Sequence, residues 1–171
     1  MLIMKKQNRI IGFLSLAIAS SIAVFSSCNK DPYEIGDPYS KVEGLDGQWE
    51  VATVSIIDEQ SVLKDEIDLT SYYTSDPANI LTITFSATEM TYEVEEGEGI
   101  NYFGANGAWQ FDDPNYPAYL YLIFDTETGL DTTELLMGST INEYQSQMAL
   151  KYPRNCGEAL VSSYQFNFNR K

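Results

Sequence analysis

The chain reads as an all-β domain, an eight-stranded antiparallel barrel with a β-sandwich as the alternative arrangement. Three observations predict it. Eight short segments are rich in β-branched and aromatic residues, and several alternate apolar and polar side chains with the period of a strand that buries one face. Turn-forming Gly, Pro, Asn and Asp separate them. No stretch from Asp46 onward carries a long helical period. Many short strands with regular turns suit both a barrel and a sandwich.

The first segment, Trp49–Ile57, is dominated by Val, Thr and Ile. Ile80–Phe85 places Leu81, Ile83 and Phe85 on one face, and Glu89–Glu95 places Met90, Tyr92 and Val94 inward with acids outward. Ala108–Asp112 brings Trp109 and Phe111 together. Tyr119–Phe124 is apolar on both faces, and Thr132–Met137 follows a turn at Gly129. Gln147–Tyr152 and Ser163–Arg170 complete the set; in the last, Tyr164, Phe166, Phe168 and Arg170 share one face. Residues 58–79 and 153–162 read as the longest connections, with one helical turn or a short helix somewhere in Ser61–Tyr73.

Ahead of the domain the pattern differs. Lys5, Lys6 and Arg9 precede an uncharged apolar run from Ile10 to Phe25, then Ser26, Ser27 and Cys28. A basic start, an apolar stretch and small residues before a cut form a secretory signal, residues 1–27. The run is short of the roughly 20 residues that a spanning helix needs. Phe25-Ser26-Ser27-Cys28 resembles a lipobox with Phe where Leu is commonest. It implies that Cys28 becomes the lipidated N-terminus, and acyl chains there hold a protein on a membrane without a spanning helix. Residues 28–45, with two Asp-Pro pairs and two glycines, read as a flexible tether before a domain at 46–171. Asp31 and Glu34 beside Lys30 resemble the export signal of Bacteroidetes surface lipoproteins, which places the domain at the outer membrane, on the cell surface or facing the periplasm.

Composition removes several functions. Behind the cut, seven bases face 25 acids, a net charge of −18. Such a charge argues against nucleic acid and against lying flat on an anionic membrane. The chain has no histidine, which removes the commonest general base and zinc ligand. No catalytic motif stands out, so a non-catalytic role is expected, without cofactor or metal. Asp125–Asp131 gathers three acids but sets Gly129 at the fifth position, which fails the calcium-loop template and reads as a hairpin turn. Cys156 reads as a small apolar residue.

Gly47-Gln48-Trp49 at the head of the first strand resembles the Gly-x-Trp signature of lipocalins and their calycin relatives. In that family the tryptophan closes one end of an eight-stranded barrel and a cation from the last strand lies across it; here Arg170 is in register for that place. With the lipobox and the strand count, residues 45–171 resemble the lipocalin-like (calycin-type) lipoproteins of Bacteroidetes, a group of unknown function.

An eight-stranded barrel either fills with side chains or holds one small ligand. The inward set expected here is bulky: Met90, Tyr92, Trp109, Phe111, Tyr121, Met148, Tyr164, Phe166 and Phe168. It can be a packed core, which the lack of small inward residues favours. It can also line a pocket for a small apolar or glycan ligand, with Tyr92, Trp109, Phe111, Tyr121, Tyr164 and Phe166 against it. A protein partner is the alternative: a protease-inhibitor-like or accessory subunit of a surface complex, docking through residues 58–79 or the tether.

Overall fold

A computed structural model of the chain describes residues 39–171. Cys28, the signal segment and the first part of the tether lie outside the described residues. The elements run in the order α1 (Lys41–Leu45), β1 (Gly47–Asp58), β2 (Glu66–Asp68), α2 (Thr70–Thr74), β3 (Thr82–Ser86), β4 (Thr91–Glu95), β5 (Gly107–Phe111), β6 (Tyr119–Thr126), β7 (Gly129–Met137), β8 (Gln147–Cys156) and β9 (Ala159–Arg170). Every neighbouring pair is antiparallel, and β1 returns to pair with β9. The eight long strands therefore close one sheet into a barrel, and the sandwich alternative is excluded. The ninth strand, β2, adds three residues beside the far end of β1.

Closure rests on a long ladder between β1 and β9, from Trp49↔Arg170 to Asp58↔Ser162. A bulge between Val51 and Thr53 interrupts it. One extra residue shifts the phase of the strand. Trp49 and Val51 point inward before the bulge, and Val54 does so after it, while Thr53 stays exposed. The bulge thus reconciles the sequence Trp-Glu-Val-Ala-Thr-Val with one buried face.

Two glycines are required, one by its backbone angle and one by its neighbour. Gly129 ends the two-residue β6–β7 turn with φ +128°, a backbone region that side chains avoid. A Cβ on Gly107 would stand 2.1 Å from the carbonyl oxygen of Ile123, so only glycine lets β5 approach β6 so closely.

Several expectations need correction. Residues 153–162 are not a loop; β8 and β9 continue as a hairpin to the Cys156↔Ala159 pair, turning through Gly157 and Glu158, with Gly157 at φ +63°. The long β1–β3 connection holds the expected short helix, α2, which begins at Thr70, and in addition the three-residue strand β2. Residues 41–45 are helix, not tether: Ser40 caps Glu43 N–H at 3.1 Å and Leu45 is fully buried. Met90 belongs to the β3–β4 turn, at φ +55°, and β4 begins one residue later.

The interior is filled by Trp49, Val54, Leu81, Ile83, Phe85, Tyr92, Trp109, Leu120, Leu122, Leu135, Met148, Leu150, Phe166 and Phe168. Phe103 completes it, fully buried, from the connection between β4 and β5. Its ring meets Phe166 at 5.0 Å and Phe168 at 5.8 Å, both edge to face. Such pairs add to the area they bury.

Candidate functional site

The strand directions give the barrel two unlike ends. At one end lie α1, the start of β1 and the end of β9. Arg170 sets its guanidinium carbon 4.6 Å from the centroid of the Trp49 ring. Trp49 donates its indole N–H to the carbonyl of Leu45 at 2.8 Å, and Arg170 donates to the carbonyl of Gly44. The clasp therefore holds α1 as well as the two terminal strands. Gly44 packs so tightly on Asn142 that a Cβ there would fall 2.6 Å from the Asn142 Cα. Arg170 N–H and Lys171 N–H bond to Ser146 and Gln48 carbonyls at 2.8 and 2.9 Å, and Lys171 pairs with Glu50. This end is closed.

The other end is formed by α2, the β4–β5 connection and the β6–β7 and β8–β9 hairpins. It carries a hollow of about 340 Å³ lined by Leu69, Tyr72, Tyr73, Gly99, Ile100, Tyr102 and Tyr164. Tyr72 is 69% exposed and Ile100 62%. Tyr73 is buried, its ring edge on Phe166 at 5.5 Å, and donates its hydroxyl to the Ile100 carbonyl at 3.2 Å. That bond ties α2 to the β4–β5 connection. Gly99 is required beneath it: its φ is +85°, and a Cβ would enter the Tyr73 ring at 2.5 Å. Tyr102 is stacked on both sides, 4.8 Å from Tyr152 and 4.6 Å from Tyr164.

Burial raises the pKa of the Tyr73, Tyr92 and Tyr102 hydroxyls above the ordinary tyrosine value, and at Tyr102 the hydrogen bond with Tyr164 pushes the same way. These groups stay neutral phenols at physiological pH. The cup offers ring faces and hydroxyls. Among the described residues no group of three or more acids, cysteines or histidines stands where it could share a metal ion. Cys156 is exposed at the hairpin tip. A hollow of about 490 Å³ lies outside the clasp at the closed end, between α1, the β5–β6 turn and the β7–β8 connection, and one of about 520 Å³ lies against β1, β8 and β9; both mix apolar patches with amides and hydroxyls and lack clustered rings.

The residues expected to line a pocket separate into four groups. Tyr92, Trp109 and Phe166 are buried in the packed interior; Tyr92 donates to the Phe103 carbonyl at 3.0 Å and Trp109 to the Ser86 carbonyl at 3.2 Å. Phe111 is partly buried against Trp109 at 5.3 Å. Tyr164 alone reaches the cup. Tyr121 stands on the outer face, in register with exposed Gln110 and Glu134, 6.3 Å from Tyr119. The inward residues of β6 are Leu120 and Leu122. The six other cup residues, among them Tyr72, Tyr73, Ile100 and Tyr102, come from the β1–β3 and β4–β5 connections. The signal for them was an aromatic pair, Tyr102-Phe103, amid a polar Gly- and Glu-rich stretch. No family model, curated protein or solved structure matches this chain.

Proposed function

We propose that the chain is a lipid-anchored, non-catalytic binding protein of the bacterial outer membrane, and that it holds a ring of a small apolar or carbohydrate ligand in the tyrosine cup. The supporting observation is the contrast between a filled interior and an aromatic hollow at the mouth. Tyrosine suits such a place because it gives a flat apolar face and a hydroxyl that can bond outward. Anchoring is supported by the lipobox-like Phe25-Ser26-Ser27-Cys28 and the apolar run before it. Among the described residues no helix is long and apolar enough to cross a membrane.

The cup is tested by titrating the full chain with neutral N-phenyl-1-naphthylamine and with a panel of neutral hexasaccharides. One of these should bind saturably, and Tyr72→Ala with Ile100→Ala should weaken it tenfold or more. Binding unchanged by both substitutions, or none by any probe, overturns the reading. The anchor is tested with Cys28→Ala, which should abolish labelling by radioactive palmitate and release the protein from membranes; retained labelling refutes it.

A further inference from the structure

The wall of the barrel is not evenly sealed. β7 pairs with β6 along its whole length, from Tyr119↔Leu136 to Thr126↔Gly129. Against β8 it pairs only at Leu136↔Lys151 and Met137↔Leu150. The two strands then part, and Gly129–Leu135 runs about 20 Å, at ~3.4 Å per residue, with its β8 side unpaired.

The sequence explains the parting. Gly138 N–H donates to the Ala149 carbonyl at 2.8 Å, whereas Met137 N–H donates to Ala118 on the other side at 2.9 Å. Backbone groups alternate sides along a strand, so Leu130, Thr132, Glu134 and Leu136 face β8, and Ala149, Lys151 and Pro153 face β7. The pair after Leu136↔Lys151 would be Glu134↔Pro153. Proline has no N–H to give. The edge of β7 is thus left open by one residue of its neighbour. At Thr132 the N–H bonds the side chain of Asp131 at 2.8 Å, in place of a strand.

A second observation concerns charge. From Asp65 to Leu150 the chain has sixteen acidic residues and no lysine or arginine. This span contains β2 to β7 complete. On the β6–β7 hairpin Asp125, Glu127, Asp131 and Glu134 flank the open edge, while the facing strand carries Lys151 below the split and Arg154 above it. A second copy of this chain would bring the same acids against this edge, and like charges across a strand pair repel.

We infer that the β7 edge is a docking site for an extended basic segment of another protein, which adds as a strand along Leu130, Thr132 and Glu134. Main-chain bonds supply the fit, and lysine or arginine beside Asp125, Asp131 and Glu134 selects the partner. The site is separate from the tyrosine cup, and either can fail without the other.

The probe is the alternating peptide (Lys-Thr)5, with (Glu-Thr)5 as control, titrated into the isotopically labelled full chain by NMR. The basic peptide should bind and shift the amides of Leu130, Thr132 and Glu134; the acidic one should not. Thr132→Pro, which removes an outward N–H, should weaken binding tenfold or more, as should N-methylation of alternate peptide bonds in the probe. Pro153→Val should extend the β7–β8 ladder and have the same effect while the fold is kept. Asp131→Lys with Glu134→Lys gives a second route if Thr132→Pro does not fold, and should also abolish binding. No binding by (Lys-Thr)5 overturns the inference. So does binding that survives both N-methylation and Pro153→Val, because attraction to diffuse charge alone would explain it.

Discussion

The two ends of this barrel use aromatic residues in opposite ways. At the closed end Trp49 is fully buried, and its indole N–H, the Arg170 guanidinium and the last backbone N–H groups are bonded to the carbonyls of Leu45, Gly44, Ser146 and Gln48. At the open end Tyr72 and Ile100 face solvent, and Tyr102 is held by two other rings rather than by a hydrogen-bonded cap. The first arrangement fixes α1 and the start of β1 to the end of β9; the second leaves surface uncommitted. Substitutions at the closed end should therefore cost stability, and substitutions on the open rim should cost binding.

The largest effects test the residues that fill the barrel. Trp49→Ala should lower unfolding free energy by roughly 3–5 kcal/mol, the usual cost of emptying a large aromatic site, read from urea midpoints. Phe103→Ala should cost about 3 kcal/mol, and a change below ~1 kcal/mol would show that the β4–β5 connection does not plug the interior. A middle effect belongs to the clasp. Arg170→Ala should cost on the order of 1 kcal/mol through lost cation–π contact and packing, and Arg170→Lys less. Tyr72→Ala should change stability by no more than ~0.5 kcal/mol, as exposed positions do. A large loss there would erase the contrast between the ends.

Acid and base probe the same contrast. The tyrosine hydroxyls at Tyr73, Tyr92 and Tyr102 have folded pKa values raised above the ordinary 10, first by burial. A raised folded value means that their contribution is fully present below pH 10 and is lost as pH rises beyond it. Phenolate absorbance should thus show exposed tyrosines titrating reversibly while the buried ones ionise only as the fold is lost. The carboxyls of Glu59, bonded to Lys64 and Ser163, and Asp112, bonded to the Tyr119 N–H, are held below their usual range. Their small contribution is present above the ordinary carboxylate value and fades as pH falls through the folded values, visible as a slight drop in midpoint toward pH 3.

The barrel was legible because its strands alternate. Glu89–Glu95 and Ser163–Arg170 carry the period of two so clearly that their buried faces follow from the letters. Tyr119–Phe124 defeats this test, since both of its faces are apolar, and so Tyr121 was expected inside although Leu120 and Leu122 take that side. The hairpin through Gly157 was hidden by Pro153, which reads as a loop but sits where its missing N–H faces the parted neighbour. The cup was the least legible part. Phe103, Tyr102 and Tyr73 come from segments without a period, and only long-range packing decides that Phe103 turns in while Ile100 turns out. The bulge at Ala52 shows the converse: the composition of β1 was clear, and its phase was not.

The most direct measurement is fluorine NMR of the full chain labelled with 3-fluorotyrosine, its resonances assigned by Tyr→Phe substitution. It follows addition of whichever neutral probe, N-phenyl-1-naphthylamine or a hexasaccharide, binds saturably. A ligand seated at the open end moves the signals of Tyr72, Tyr102 and Tyr164 and leaves Tyr92, deep in the packed interior, in place. Movement of Tyr92 with the rim tyrosines unchanged would put the ligand inside the barrel and contradict the account.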